Sequence, residues 1–217
     1  MEYLHGGRFE FAEVLVVDDG SRDGTVALVQ ELSLRNPCVR LLQNPGNRGK
    51  GYSVRHGMLE AKGEWALFTD ADLSSPIEEL EKLLVAVERS GAAIAIGSRA
   101  VDRSLVGVHQ PIFREYAGRF FNLVMRVVTG LNFKDTQCGF KLFRRDAARA
   151  IFERQQLERF GFDPELLFIG KLLGYEAVEV PVRWNDVAGS KVGTLAGLDG
   201  FLDLLRIRRN HWGGRYS

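Results

Sequence analysis

At 217 residues, with 45% apolar and 26% charged side chains, the chain is long enough to enclose one full core and too apolar to stay disordered. A net charge of +1 provides no overall attraction for nucleic acid or for a strongly acidic partner, so any charge-based function has to be local. Cys38 and Cys138 show no two-residue spacing of the kind zinc or dithiol chemistry uses, which points to a reducing compartment and buried, inert thiols. No apolar run reaches about eighteen residues, and the opening Met1-Glu2-Tyr3-Leu4-His5-Gly6-Gly7 lacks the basic start and apolar centre of a signal peptide, so the chain as given is expected to be soluble or peripheral.

In chain order the pattern alternates between strand and helix. Val14–Val17 is a β-rich run ending in Asp18-Asp19, and Thr25–Leu34 carries Val26, Leu28, Val29 and Leu32 at helical spacing. Val39–Leu42 reads as a strand and Gly51–Ala61 as a helix. Ala66–Phe68 is a strand that runs into Asp70-Ala71-Asp72, Ile77–Arg89 a helix behind Pro76, and Ala93–Ile96 another strand. Beyond about residue 100 the pattern changes to a long helix-like stretch, Ile112–Leu131, then a loop, and Ala177–Val182 as a strand. Repeated alternation implies a mostly parallel sheet with helices on both faces, and no linker, repeat or low-complexity tract divides the chain.

Ligands of such sheets bind beyond the carboxyl ends of the strands, where both acidic motifs fall. Asp18-Asp19-Gly20-Ser21 reads on its own as a turn with a helix cap. Asp70 and Asp72 precede Ser74, Ser75 and Pro76, which already suffice to open a helix, so two further carboxylates favour divalent-cation binding over capping. Asn44-Pro45-Gly46-Asn47-Arg48-Gly49-Lys50-Gly51 leads a glycine-rich turn into a helix; its amides, with Arg48 and Lys50, suit a phosphate, although a plain turn explains the glycines equally well.

Together Val-Val-Asp-Asp-Gly-Ser (16–21), Asn-Arg-Gly-Lys-Gly (47–51), Thr-Asp-Ala-Asp (69–72), Gly-Ser-Arg (97–99), Asp-Thr-Gln-Cys-Gly-Phe-Lys-Leu-Phe (135–143), Phe-Asp-Pro-Glu-Leu-Leu (162–167) and Trp-Asn-Asp-Val-Ala-Gly-Ser-Lys (184–191) resemble glycosyltransferase family two, nearest to its dolichyl-phosphate and polyprenyl-phosphate glucosyltransferase branch. The resemblance covers about residues 13 to 192. It implies an α/β chain of GT-A (nucleotide-diphospho-sugar transferase) fold, one domain over 1–217, with 1–100 binding the nucleotide sugar and 101–217 the acceptor. It further implies inverting transfer of a hexose, glucose by branch, from a UDP-sugar to a polyprenyl or dolichyl phosphate.

By family position, Asp70 and Asp72 hold Mg2+ or Mn2+ against the diphosphate. Asp18, Asp19, Ser21 and Lys50 serve the donor, and Lys141 belongs to the same substrate-binding set. Arg99, Arg114, Arg183 and Lys191 are phosphate contacts, with Ser190 donating a hydrogen bond; singly, each cation reads also as a solvated surface charge. Asp135 and Glu165 stand where the family carries active-site acids. A lipid phosphate has a second pKa of about 6, so it reaches neutral pH already ionised and needs positioning more than a base; a sugar hydroxyl acceptor would need one of these acids as general base.

The apolar stripe of Ile112–Leu131 suits either a membrane interface or core packing, and Arg206-Ile207-Arg208-Arg209 either an anionic lipid surface or a solvated helix end. The resulting expectation is a peripheral protein at the cytoplasmic membrane face. Family members begin with an apolar strand and a Pro-Ala-Tyr-Asn-Glu-like motif, whereas Met1 here falls in what resembles the following helix, so the resemblance implies an N-terminally shortened chain lacking one strand of the sheet. Two other classes compete: a catalytically silent nucleotide-sugar binder, and a haloacid-dehalogenase-like phosphatase with Asp70 as nucleophile, which has Ser74 where a Thr is expected and no second acidic metal pair.

Overall fold

Short apolar runs separated by amphipathic helices build a layered sheet in the structure, a computed structural model that describes residues 3, 9–108, 112–185 and 195–217. The chain runs β1 (Val14–Asp18), α1 (Thr25–Arg35), β2 (Val39–Gln43), α2 (Lys50–Glu60) and β3 (Trp65–Thr69). There follow α3 (Leu80–Ser90), β4 (Ile94–Ser98), β5 (Val106–Val108), α4 (Ile112–Thr129), β6 (Phe140–Arg144) and α5 (Arg145–Arg154). The chain continues with α6 (Phe162–Leu172), β7 (Ala177–Pro181), β8 (Trp184–Asn185) and α7 (Leu195–Trp212). The segment expected as one helix over 77–89 opens as a 3-10 turn, Ile77–Glu79, because the chain leaves Pro76 in an extended conformation and the Glu79 amide closes back on the Pro76 carbonyl at 3.1 Å.

β1 and β2 pair in parallel as one sheet, β5 and β8 as another, and the central sheet has the order β3-β6-β4-β7. β4 and β7 are parallel, as the alternation implies, but β6 lies antiparallel between β3 and β4. The resulting sheet is mixed, and residues from the second half of the chain sit at its centre beside Thr69 and Asp70.

Side chains alternate across this sheet with period two. Ile94, Ile96 and Phe143 join one buried cluster beneath α5 and α6 with Phe68, Ile151, Phe152 and Leu166; Ala95, Phe140 and Leu142 join the other beneath Leu83 and Val87 of α3. Phe143 anchors the first cluster, lying 6.3 Å from Phe68 and edge-on to Phe152 at 5.4 Å. Lys141 shares the Phe143 face of β6 and is fully buried. Its ammonium lies 5.1 Å from the centre of the Phe68 ring, donates to the Cys138 carbonyl at 2.6 Å and forms an ion pair with Asp163 in the first turn of α6.

Removing one partner of such a buried pair strands the other charge. Asp163→Ala is therefore expected to cost about 3–5 kcal/mol, read as a lower urea midpoint, and the double change Asp163→Leu with Lys141→Met to recover most of that loss.

Candidate active site

The first acidic motif leaves β1 and folds onto the glycine-rich turn. Asp18 is buried and accepts from the amides of Gly20 and Ser21, each at 3.2 Å. Asp19 accepts from the Asn44 side chain at 2.8 Å and from the amides of Arg48 at 2.9 Å and Gly49 at 2.8 Å. Burial works against this charge, but the hydrogen bonds from Asn44, Arg48 and Gly49 together hold the Asp19 carboxyl below its usual range. Beside it, an open cleft of about 530 Å³ is lined by Asp19, Gly20, Ser21, Arg22, Asp23 and Asn47.

The second motif turns sharply after β3. The Leu73 amide donates to the Asp70 carbonyl at 3.1 Å, Asp72 accepts from the Ser74 amide at 2.9 Å, and Leu73 itself sits in the left-handed region at φ 52. That conformation costs a residue with a Cβ about 1–2 kcal/mol, which marks the Asp70–Leu73 turn as locally strained. The Asp70 side chain lies directly over Gly139, just before β6, where a Cβ would stand 2.1 Å from Asp70 Oδ2. No side chain fits at 139 unless this carboxylate moves. Lys50, the first residue of α2, reaches across to pair with Asp70 at 2.6 Å. Desolvation opposes its charge, but Asp163, Asp70 and Asp72 outweigh that and raise its pKa.

The loop before β6 carries the third group. Asp135 binds Arg99 through two parallel bonds, Nε at 2.6 Å and Nη2 at 2.9 Å, and also accepts from the Arg99 amide. Burial alone would raise its pKa, but the facing guanidinium dominates and holds the carboxyl down at about 2. The Arg99 guanidinium also lies 5.3 Å from the centre of a Trp184 ring. Arg183 reaches the buried Glu79, which Lys82 also contacts at 2.6 Å.

The structure therefore brings Asp70, Asp72 and Lys50 together at one end of the central sheet, next to the Asp18-Asp19 turn, with Arg99 and Asp135 beyond Gly139. It places Lys141 beneath this surface, with its ammonium committed to Asp163 and the Cys138 carbonyl. Glu165 is fully buried on α6 and bonds to the amides of Gln156 and Leu157 and to the Tyr216 hydroxyl rather than to any of these groups. Arg114 lies on α4 with its side chain outside the described part, and Ser190 and Lys191 fall outside the described residues. Three contributors escaped the sequence reading. Asp163 and Gly139 lie inside motifs quoted above, Asp163 masked by its neighbour Glu165 and Gly139 silent without knowledge of what sits over it; Tyr216 carried no signal.

A family model described as Glycosyl transferase family 2 matches residues 7–152. A dolichyl-phosphate beta-glucosyltransferase of Trichomonas vaginalis is 38% identical over 199 residues, covering 90% of this chain and 59% of that protein; the chain thus spans about three fifths of the length of this relative. Among solved structures, mannosyl-3-phosphoglycerate synthase from Rubrobacter xylanophilus superposes with a TM-score of 0.62 at 18% identity, over 94% of this chain and 65% of that one. Glucosyl-3-phosphoglycerate synthase from Mycobacterium tuberculosis, in complex with Mn2+, UDP-glucose and phosphoglyceric acid, superposes with 0.58 at 14% identity, over 89% of this chain and 67% of that one. At these identities the likeness is one of fold.

Burial pushes the Glu165 carboxyl up to about 7, above the ordinary 4.5 of an unfolded glutamate. Between those values the folded state holds a proton that the unfolded state has lost, so this group's contribution is present at low pH and is lost as pH rises to about 7. Urea denaturation at about pH 5 and about pH 8 is expected to differ by up to about 3 kcal/mol from this source, and Glu165→Gln to flatten that difference.

Proposed function

The chain belongs to glycosyl transferase family 2, and on that premise we propose that it transfers glucose from UDP-glucose to dolichyl or another polyprenyl phosphate, with inversion and with Mg2+ or Mn2+. The activity for which the Trichomonas relative is named supports the lipid phosphate acceptor, and the Mycobacterium complex supports the UDP-sugar donor and the cation. The observation that carries the choice of acceptor is the lock between Arg99 and Asp135. A general base works best with a pKa near the working pH. Asp135, held at about 2 by a bidentate arginine, is a poor proton acceptor, and Glu165, although pushed up to about 7, has no solvent-exposed surface. An acceptor that arrives already ionised needs neither of them.

In this reading an oxygen of the lipid phosphate attacks the anomeric carbon, the bond from that carbon to the β-phosphate oxygen breaks, and UDP leaves with the electron pair. No proton has to be removed. Arg99, with Asp135 orienting its fork, and the exposed Arg183 on Glu79 position the acceptor phosphate, and Arg114, Ser190 and Lys191 belong to the same side of the reaction. The cleft beside Asp19 and Ser21 takes the nucleoside, with Asp18 holding its turn, and Lys50 faces the diphosphate. The half 1–100 then carries the donor residues and lends Arg99 to the acceptor phosphate, which the half 101–217 otherwise serves, in one domain joined where β6 enters the central sheet.

Asp70 and Asp72 fit a divalent cation. Both are oxygen donors on one strained turn, with Gly139 leaving Asp70 room. Among the described residues no group of three or more His, Cys, Asp or Glu is gathered for a metal, and these two carboxylates are the ones that would hold it beside the donor diphosphate. Such a cation offsets charge growing on the leaving diphosphate. The test is transfer of radiolabelled glucose from UDP-glucose to polyprenyl phosphate: Asp72→Ala is expected to lower the rate about a hundredfold. Binding of UDP-glucose without turnover, also in a longer form of the chain, would support a silent binder; transfer to a free sugar instead would overturn the acceptor.

The acceptor's lipid tail requires a surface, and the α4 and α7 pair offers one. No helix among the described residues is long and apolar enough to cross a membrane. Phe201 of α7 packs on Phe120 and Phe121 of α4 at 5.8 and 5.4 Å. Around that contact Phe120, Leu123, Val127, Leu202, Leu205 and Trp212 are exposed, Val127 to 76% and Trp212 to 79%, with Arg126, Arg206 and Arg209 exposed on the same two helices. This is the apolar and cationic mixture that binds an anionic bilayer surface peripherally. Val127→Ser with Trp212→Ser is expected to weaken cosedimentation with phosphatidylserine vesicles about tenfold or more while leaving the melting temperature in place.

A further inference from the structure

Glu165 and Tyr216 lie in a part of the molecule that none of the proposed chemistry uses, yet their hydrogen bonds lead to it. Glu165 accepts from the Leu157 amide at 2.9 Å and from the Gln156 amide at 3.2 Å, and the Tyr216 hydroxyl donates to Glu165 at 2.6 Å. Asn210 of α7 donates to the same hydroxyl at 3.4 Å, and the Tyr216 ring packs edge-on to Phe168 of α6. These contacts hold one side of the loop between α5 and α6.

The other side of that loop grips the start of α2. The Arg159 carbonyl accepts from the Gly51 amide at 3.2 Å and the Glu158 carbonyl from the Tyr52 amide at 2.9 Å. Gln155 bridges the Gly51 and Leu157 carbonyls at 2.9 and 2.7 Å. The Glu158 carboxylate takes the Arg48 guanidinium through two bonds, 2.6 and 3.1 Å. The fit is close: a Cβ on Gly51 would stand 2.7 Å from the Leu157 carbonyl. First-turn amides of a helix have no partner within the helix, and here two of them are satisfied by the 155–159 loop. Between them and Asp70 stands Lys50.

We infer that Glu165 and Tyr216 are positioning residues for the donor site: they set the 155–159 loop, the loop sets the first turn of α2, and that turn aims Lys50 at Asp70. This inference rests on the reading of Lys50 and Asp70 as the diphosphate end of the site. Tyr216 lies well outside the segment matched by the family model, so the donor site depends on the last turn of this chain as well as on its motifs.

Two readouts separate the inference from that reading and from simple loss of stability. Amide hydrogen exchange on the 217-residue chain needs no ligand: in Tyr216→Phe the amides of Gly51 and Tyr52 are expected to exchange about tenfold faster, with those of β4 unchanged. Calorimetric binding of UDP with manganese is expected to weaken about tenfold in Tyr216→Phe and less in Glu165→Gln, which keeps an oxygen toward the Leu157 amide. Leu83→Ala, in the core cluster under α3, serves as a destabilised control with exchange at Gly51 and UDP affinity unchanged. Unaltered exchange at Gly51 and Tyr52 in Tyr216→Phe would overturn the inference whatever the protein's activity, as would equal acceleration in β4. Faster exchange with unaltered UDP affinity would keep the mechanical link and overturn its role at the donor site, leaving the assignment of Lys50 to the diphosphate untouched.

Discussion

Lys141 is the constraint on which the rest of the architecture depends. A lysine ammonium with no solvent contact is tolerated only if its charge and donors are matched. Here the matching groups are the Asp163 carboxylate and the Cys138 carbonyl, with the face of Phe68 beside them. Those partners belong to three separate pieces of chain: the first turn of α6, the loop before β6, and β3. Satisfying one buried cation therefore fixes where α6 starts and how the 135–139 loop leaves the sheet. The same loop carries Asp135 and Gly139, so the interior charge and the surface site share one backbone segment.

Above that pair, almost every acid at the site is already engaged by the protein. Asp18 and Asp19 stitch their own turn and the glycine-rich loop, Asp135 holds Arg99, and Asp70 meets Lys50. Such an arrangement is rigid and electrostatically prepared, which suits a reaction whose main demand is to place two phosphates and stabilise a departing diphosphate. It suits poorly a reaction that needs a free carboxylate to take a proton. The strained turn at Leu73 and the missing side chain at Gly139 fit the same view, because both let Asp70 and Asp72 project from adjoining positions at the end of β3.

The second half of the chain contributes in two ways that the motifs alone do not express. β6 enters between β3 and β4, so Asp70 after β3, Gly139 before β6 and Arg99 after β4 hang from neighbouring strands of one sheet. The 155–159 loop, tied to Glu165 and through it to Tyr216, closes over the first turn of α2. The α4 and α7 pair packs Phe121, Met125, Leu204 and Ile207 into the core and turns Phe120, Leu123, Val127, Leu202, Leu205 and Trp212 outward.

Local chemistry made much of this legible beforehand. Strand runs such as Val14–Val17 and Ala93–Ile96, the alternating helices, the acids after β1 and β3 and the glycine-rich turn before α2 are all signalled by residues close in the chain, because hydrophobic periodicity and turn chemistry act over a few positions. The family resemblance was carried by the same short stretches. What tertiary structure decided was partnership. Phe140–Arg144 holds a lysine that breaks an apolar run, and only a distant aspartate makes that lysine admissible at the centre of the sheet. Glu165 was placed among the active-site acids by family position, and its hydrogen bond with Tyr216, fifty-one residues further on, shows in no local pattern. Gly139 was mute until Asp70 was found lying on it. Local patterns were enough for the elements of the first hundred residues, the family and the acidic motifs; which charges neutralise one another, and which of them are left to meet a ligand, was settled only by the packing, since those pairings join residues that no local pattern relates.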